Sequence, residues 1–183
     1  MLSLTRRLLT SRKPLSRFST LLIPTPNSPS SDLGPLLSAS SYLPSPVDIL
    51  QICSSKNSEN VISEIQNITP SSVVNSIFLN DIKGMEDYCH FHCLDEIKKF
   101  VYENKNKYTH VVMGNGNLSK EILPRLSSAN DSQCISDIIS ILDHERFQRP
   151  IYAGNAVSTV KVNRQSSSGK NETCIKIFIK KNF

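Results

Sequence analysis

No acidic residue occurs before Asp32, and that absence governs how the charge is read. Lys and Arg total 21 against 16 Asp and Glu, a net charge of +5. Five of the basic residues (Arg6, Arg7, Arg12, Lys13 and Arg17) lie in the first twenty positions, and without them 16 basic residues face 16 acidic ones. The excess belongs to one terminus, which removes the main support for a phosphate-tracking surface. Long apolar runs are also missing. Leu8-Leu9 is the longest in the opening segment, whereas a secretory signal needs roughly seven to fifteen apolar residues and a membrane-spanning helix about eighteen or more. The cysteines, Cys53, Cys89, Cys93, Cys134 and Cys174, are odd in number and widely scattered. They do not form the even framework of a small secreted disulfide protein and are read as reduced.

The first twenty residues carry Leu4, Leu8 and Leu15 near one helical face among Arg and Ser. That is an import presequence pattern. It predicts a transit peptide over 1–19, ending near Arg17-Phe18-Ser19-Thr20, and a soluble mature protein in the mitochondrial matrix, with the chloroplast as the rival address. The Asn-x-Ser/Thr triplets at Asn67, Asn117, Asn130 and Asn171 matter only on the secretory route.

Proline and serine crowd the region from Pro24 to Pro46, which reads as a loose arm or an irregular domain edge with one structured hint at Thr20–Ile23. Beyond it, short apolar runs alternate with helical segments. Val47 to Ile52 and Val73 to Leu79 are predicted strands around a short helix at Val61 to Ile65. An amphipathic helix over Asp95 to Tyr102, a strand over Thr109 to Met113 and a helix over Lys120 to Leu126 follow. The alternation predicts an α/β layered, mostly parallel sheet with helical crossovers. After Ser128 the runs Cys134 to Ile141, Gln148 to Tyr152, Val157 to Val162 and Cys174 to Ile179 are β-like with no helix between them. They predict a few antiparallel strands at the C-terminal end, and the turn-rich Gln165 to Asn171 predicts a hairpin joining the last two.

Three constellations bear on chemistry. Gly114-Asn115-Gly116-Asn117-Leu118-Ser119-Lys120 follows a strand and opens a helix, where backbone amides can cradle phosphate. Ser119 stands where the dinucleotide pattern wants its third glycine, however, so an ordinary glycine turn is the preferred reading. Cys89-His90-Phe91-His92-Cys93 has metal-type ligands but no second ligand pair to close a tetrahedron. His110 lies in a strand and reads as a satisfied core residue, while Asp137 and Asp143 are a carboxylate pair only if the fold unites them. No catalytic, cofactor-binding or metal-binding residue is assigned.

Several blocks then occur in order: Tyr108-Thr109-His110-Val111-Val112-Met113-Gly114, Lys120-Glu121-Ile122-Leu123-Pro124-Arg125-Leu126, Ile135-Ser136-Asp137-Ile138-Ile139-Ser140-Ile141, Arg149-Pro150-Ile151-Tyr152-Ala153-Gly154-Asn155-Ala156 and Thr159-Val160-Lys161. Together they resemble the N-terminal domain of the electron transfer flavoprotein α subunit. This chain has Asn115 to Lys120 where the family usually has Ser-x-Phe-Gly-Lys, and Cys134 in place of its proline. The resemblance implies an electron-carrier subunit of a mitochondrial flavoprotein rather than an enzyme. In the family this subunit pairs with a β subunit as a heterodimer that holds FAD. It takes electrons from acyl-CoA and related matrix dehydrogenases of fatty acid β-oxidation and passes them to a membrane quinone oxidoreductase. It further implies that 20–183 is the scaffold domain and that most FAD contacts come from a C-terminal domain absent here, so that the chain, in effect truncated, is redox-silent alone. Arg149, Tyr152 and Asn155 are the expected subunit-interface residues. The alternatives are an independent matrix interaction module and a small nucleotide-binding α/β protein.

Overall fold

A computed structural model of the chain describes residues 4–10, 19–26, 29–54, 58–69, 74–82, 90–104, 107–114, 116–130, 132–162 and 175–179. The strands are β1 (Leu4–Thr10), β2 (Thr20–Ile23), β3 (Val47–Ser54), β4 (Val74–Ile82), β5 (His110–Gly114), β6 (Cys134–Ile138), β7 (Ser140–Ile141), β8 (Arg146–Ile151), β9 (Ala156–Lys161) and β10 (Ile175–Ile179). The helices are α1 (Leu33–Ser40), α2 (Ser58–Ile68), α3 (His90–Glu103) and α4 (Asn117–Ala129).

Seven strands form one sheet in the order β1-β4-β3-β2-β5-β10-β6, and β7-β8-β9 form a second, antiparallel sheet. Within the large sheet only β1 runs antiparallel to its neighbour. The expected α/β class is therefore the observed one. Alternation along each buried strand divides the core in two. Leu22, Ile49 and Val112 face α1, α2 and the small sheet, packing with Leu33, Leu36, Val61, Ile65 and Phe147. Leu21, Leu50 and Val111 face the other way, against Ile97 and Phe100 of α3 and Ile122 and Leu126 of α4.

Three sequence expectations are corrected. The Pro/Ser-rich stretch is not a loose arm, because α1 lies within it and buries Leu33, Leu36 and Ala39. Tertiary packing stabilises this eight-residue helix where propensity would not. The C-terminal hairpin is not formed either. Ile175–Ile179 inserts between β5 and β6 and runs parallel to both. With Lys176 its one polar residue, the run suits an interior strand covered on both faces. Parallel neighbours need a connection of about a dozen or more residues, and 139–174, which include the small sheet, separate β6 from β10; the expected turn over Gln165 to Asn171 lies outside the described residues. Finally, Leu4–Thr10 is a strand and not a helix, paired with β4 from Leu4↔Asp81 to Thr10↔Ser76. A short helix is marginal in water, while the edge of β4 offers a row of unpaired backbone groups. Leu15 and the expected cleavage region through Phe18 lie outside the described residues.

At the amino end of the sheet, the fully buried Asp48 is held by three donors. Lys107 Nζ lies 2.5 Å from Oδ2, Tyr108 Oη donates to Oδ2 at 2.8 Å and Asn75 Nδ2 donates to Oδ1 at 3.0 Å. The Lys107 ammonium also sits over the rings of Phe78 and Tyr108, at 5.1 and 4.8 Å. A buried carboxylate partnered in this way ties β3 to β4 and to the start of β5. It is structural.

Candidate functional site

The chain leaves the large sheet at a β-bulge. Against β10, Ile135 pairs with Ile177 and Ile138 with Ile179, so β6 carries one extra residue between the two pairs. Asp137 has φ 57°, a left-handed conformation that Asp tolerates better than most residues. The bulge redirects the strand, and the Ile139 N–H then donates to the Gln148 carbonyl at 3.0 Å as β7 joins β8. The Ile-Ser-Asp-Ile-Ile block is thus the corner between the two sheets. Asp143 closes the next turn. Its Oδ1 accepts from the N–H groups of Glu145 and Arg146, both at 2.8 Å, and its Oδ2 from Arg146 Nε at 2.6 Å. These bonds hold its carboxyl down at about 2, the Glu145 N–H contributing most. Asp137 and Asp143 therefore have separate local tasks.

The turn from β8 to β9 is the second backbone special. Tyr152, Ala153 and Gly154 take φ of 51°, 55° and 96° in succession, and the Asn155 N–H donates to the Tyr152 carbonyl. Among the described residues, the non-glycine positions with positive φ are Asp137, Tyr152 and Ala153. Such strain costs on the order of 1–2 kcal/mol per residue and persists where the surroundings over-determine it, often at functional sites.

These two specials meet. Along β8, Phe147 is fully buried, so its period-two neighbours Arg149 and Ile151 share its inward face. Beyond the reach of the core that face overhangs a groove of about 450 Å³, lined by Asp137 together with residues 149–154. Arg149 is half-buried, and its Nε is sealed from solvent with no hydrogen-bond partner. Tyr152 stands at the rim with 79% of its surface exposed. Of the expected interface residues, Arg149 and Tyr152 line this groove, and Asn155 lies exposed at the end of the turn. Sequence reasoning did not join Asp137 to them. No composition signal marks a left-handed Tyr-Ala pair or a bulge.

A second concavity lies where the sheet order reverses, between the carboxyl ends of β2 and β5. Ligands favour this place in open α/β sheets. Here the open space measures about 210 Å³ and is lined by Thr25, Asp32, Gly114 and Ser119 among others. The Asp32 carboxylate packs on Gly114 so closely that a Cβ there would meet Oδ2 at 2.1 Å. Thr25 holds that carboxylate through its N–H, 3.2 Å from each oxygen, and its hydroxyl at 2.8 Å. Ser119 Oγ accepts from the Gly116 N–H at 2.9 Å and faces the carbonyls of Gly114 and Gly116 at 2.5 and 2.9 Å. Asn115 lies outside the described residues. A carboxylate where an anion would enter, in a space below the ~300–1,000 Å³ of most ligand pockets, does not fit a dinucleotide such as FAD.

The remaining candidates are dispersed. Cys93 is buried in the core, Cys89 lies outside the described residues, and among the described residues no group of three or more His, Cys, Asp or Glu could hold a metal ion. His110 is fully buried. Its Nε2 donates to the His144 carbonyl at 2.8 Å, and its Nδ1 lies 2.9 Å from Thr109 Oγ1.

Residues 97–166 match the electron transfer flavoprotein domain. That stretch contains β5, α4, β6 and the whole small sheet, including every residue of the groove. Over this segment the chain resembles electron transfer flavoprotein α subunits. The mitochondrial α subunit of Arabidopsis thaliana is 43% identical over 54 residues, covering 30% of this chain and 15% of that protein. That of Dictyostelium discoideum is 40% identical over 68 residues, covering 37% and 19%. The Paracoccus denitrificans α subunit is 41% identical over 54 residues, covering 30% and 18%. The matched part of the chain thus spans less than a quarter of these relatives' length. Within residues 97–166 the chain is electron transfer flavoprotein α-like, and the eukaryotic relatives carry a mitochondrial designation. Among the described residues no helix is long and apolar enough to cross a membrane.

Proposed function

We propose that this chain is an electron-carrier subunit component and not an enzyme: an α-like scaffold that docks an electron transfer flavoprotein β subunit through the β8–β9 turn in the mitochondrial matrix. One observation carries the reading. The two sequence blocks most characteristic of the family, around Asp137 and around Arg149 to Asn155, supply the strained, half-exposed backbone of a single groove. Tyr152 offers rigid exposed area and Arg149 a fork of donors, residue types favoured at the centre of protein interfaces. Within the assembled complex the electrons come from acyl-CoA and related dehydrogenases and go to a membrane quinone oxidoreductase. The flavin of that complex is taken to be held chiefly by parts other than the residues described, because the switch-point crevice is small and lined by the Asp32 carboxylate.

The test is co-expression with the β subunit of the same organism, wild type against Tyr152→Ala. The wild type recovers as a heterodimer, and the variant, folded by its circular dichroism, loses most of the complex. Unchanged recovery with the folded variant overturns the docking role. The nucleotide-binding alternative predicts heat on titrating AMP, ADP or ATP, which the Asp32 carboxylate opposes.

A further inference from the structure

We propose that the fold itself closes the processing site at the presequence boundary, so that the presequence is removed only from chains that have not yet folded. This rests on the matrix reading above, which makes 1–19 a segment to be cut away. The bond to be cut then joins Ser19 to Thr20, and both residues are buried, at 1% and 0% exposure. Hydrolysis breaks the amide C–N bond between them, adding the hydroxyl of a water to the Ser19 carbonyl carbon and its proton to the Thr20 nitrogen. Neither side of that peptide group is free. The Ser19 carbonyl accepts from the Thr109 N–H at 2.9 Å, the His110 N–H at 3.3 Å and the Thr109 hydroxyl at 3.2 Å, while the Thr20 N–H donates to the Pro46 carbonyl at 3.0 Å. The two hydroxyls are tied down as well, Ser19 Oγ donating to the Lys107 carbonyl and Thr20 Oγ1 to that of Pro44 at 2.8 Å.

A peptidase takes its substrate as an extended segment with unpaired backbone, which is why nicking concentrates in exposed loop tips and loose termini. This boundary is the opposite case. It opens β2, the middle strand of the seven, with β3 on one side and β5 on the other. Thr20 pairs with Val47 and with His110, and Leu21, Leu22 and Ile23 behind it are fully buried in the two halves of the core. Freeing the bond therefore requires the centre of the sheet to part, and fraying of an edge does not reach it. The presequence is bound at its other end too. Leu4–Thr10 is the edge strand β1 on β4, so residues of the amphipathic import pattern are also those that finish the sheet. The two uses exclude each other, and a chain that folded before import would conceal both the signal and the cut.

The experiment follows cutting by a presequence peptidase of the matrix in three substrates, with the products read by mass: the folded full chain, its Gly114→Ala variant, and a peptide of residues 1–30, too short to build the sheet. The peptide is expected to be cut at the Ser19–Thr20 bond, and the folded chain at least about 1,000-fold more slowly, because only its rare open form is a substrate. Gly114 ends β5 and lies away from the bond, which faces the start of that strand, so Gly114→Ala changes how often the sheet opens and not the site. It should speed the cut about 100-fold, since the rate follows the population of the open form. Should that variant not fold, Ile122→Val, which trims one buried methyl group, takes its place with a speed-up of several-fold. A folded chain cut as fast as the peptide refutes the closure and leaves the matrix reading standing. A peptide cut only upstream of Arg17 places the boundary outside β2 and refutes the closure as well, and a peptide left whole refutes the matrix reading with it. Slow cutting that is no faster in a variant with a lowered urea midpoint also refutes the closure, since a frayed terminus and not the opened sheet is then the substrate.

Discussion

Gly114→Ala is the sharpest probe of the packing of the Asp32 carboxylate on Gly114 in the wall of the switch-point crevice. The added methyl would sit 2.1 Å from Asp32 Oδ2, 2.8 Å from its Cγ and 2.9 Å from its Cβ. Rotating the carboxylate away does not suffice, because the Asp32 Cβ is itself too close and is anchored to the backbone at the start of α1. Either the carboxylate leaves Thr25, giving up bonds to its N–H and hydroxyl, or β5 and α1 move apart. Overpacking of this kind costs about 1–3 kcal/mol, and losing the hydrogen bonds of a charged group adds about 1.5. A destabilisation of about 3 kcal/mol is expected. Asp32→Gly alone should cost about 2 kcal/mol through the same lost bonds. In the double variant the clash has no partner, so the two effects fall short of additivity by at least about 1.5 kcal/mol. Urea denaturation midpoints, with slopes checked for constancy, measure all three variants. Strict additivity, or a Gly114→Ala chain as stable as wild type, would show that Asp32 does not pack on Gly114.

Three further predictions follow from the structure. Lys107→Met should destabilise the fold by about 3 kcal/mol, since it leaves the buried Asp48 short of its cation, and Tyr108→Phe by about 1–2 kcal/mol. Urea denaturation reads both, and a neutral Lys107→Met would deny the network its role. The Asp143 carboxyl, lowered from 3.8 to about 2 chiefly by the Glu145 N–H and then by the Arg146 side chain, should titrate near 2 by NMR. The stability it lends is complete above its unfolded value and is lost as the pH falls through about 2, so a midpoint near 4 contradicts the turn geometry. Residues 1–20 fused to a fluorescent protein should send it to mitochondria, and a cytosolic or plastid signal refutes the matrix address.

The sequence made the fold legible wherever a periodic pattern coincided with an element's own packing. Ile97, Phe100 and Val101 read as one helical face and lie together in the core, and Val111 to Met113 reads and behaves as an interior strand. Legibility failed where long-range packing decides. Leu33 and Leu36 sit among Ser, Gly and Pro and become helical because the sheet offers them a place. The strand Ile175–Ile179 looks the same locally whether it pairs with β9 or slots beside β5. At the site, Arg149, Tyr152 and Asn155 were accessible as residue types in a distinctive block, and Gly114 as a turn. The left-handed Tyr152-Ala153 pair, the bulge at Asp137 and the carboxylate over Gly114 were not, since each is a backbone or cross-chain geometry with no signature in neighbouring residues.

The central claim is that the corner between the two sheets, and not the switch-point crevice, is where this chain meets its partner. Amide hydrogen exchange of the full-length chain, free and mixed with the electron transfer flavoprotein β subunit, tests it most directly. The account predicts new protection over 137–141 and 149–158, with 114–119 and the Thr25–Asp32 region unchanged. Protection that appears at the crevice while the β8–β9 turn exchanges as it does in the free chain would contradict it.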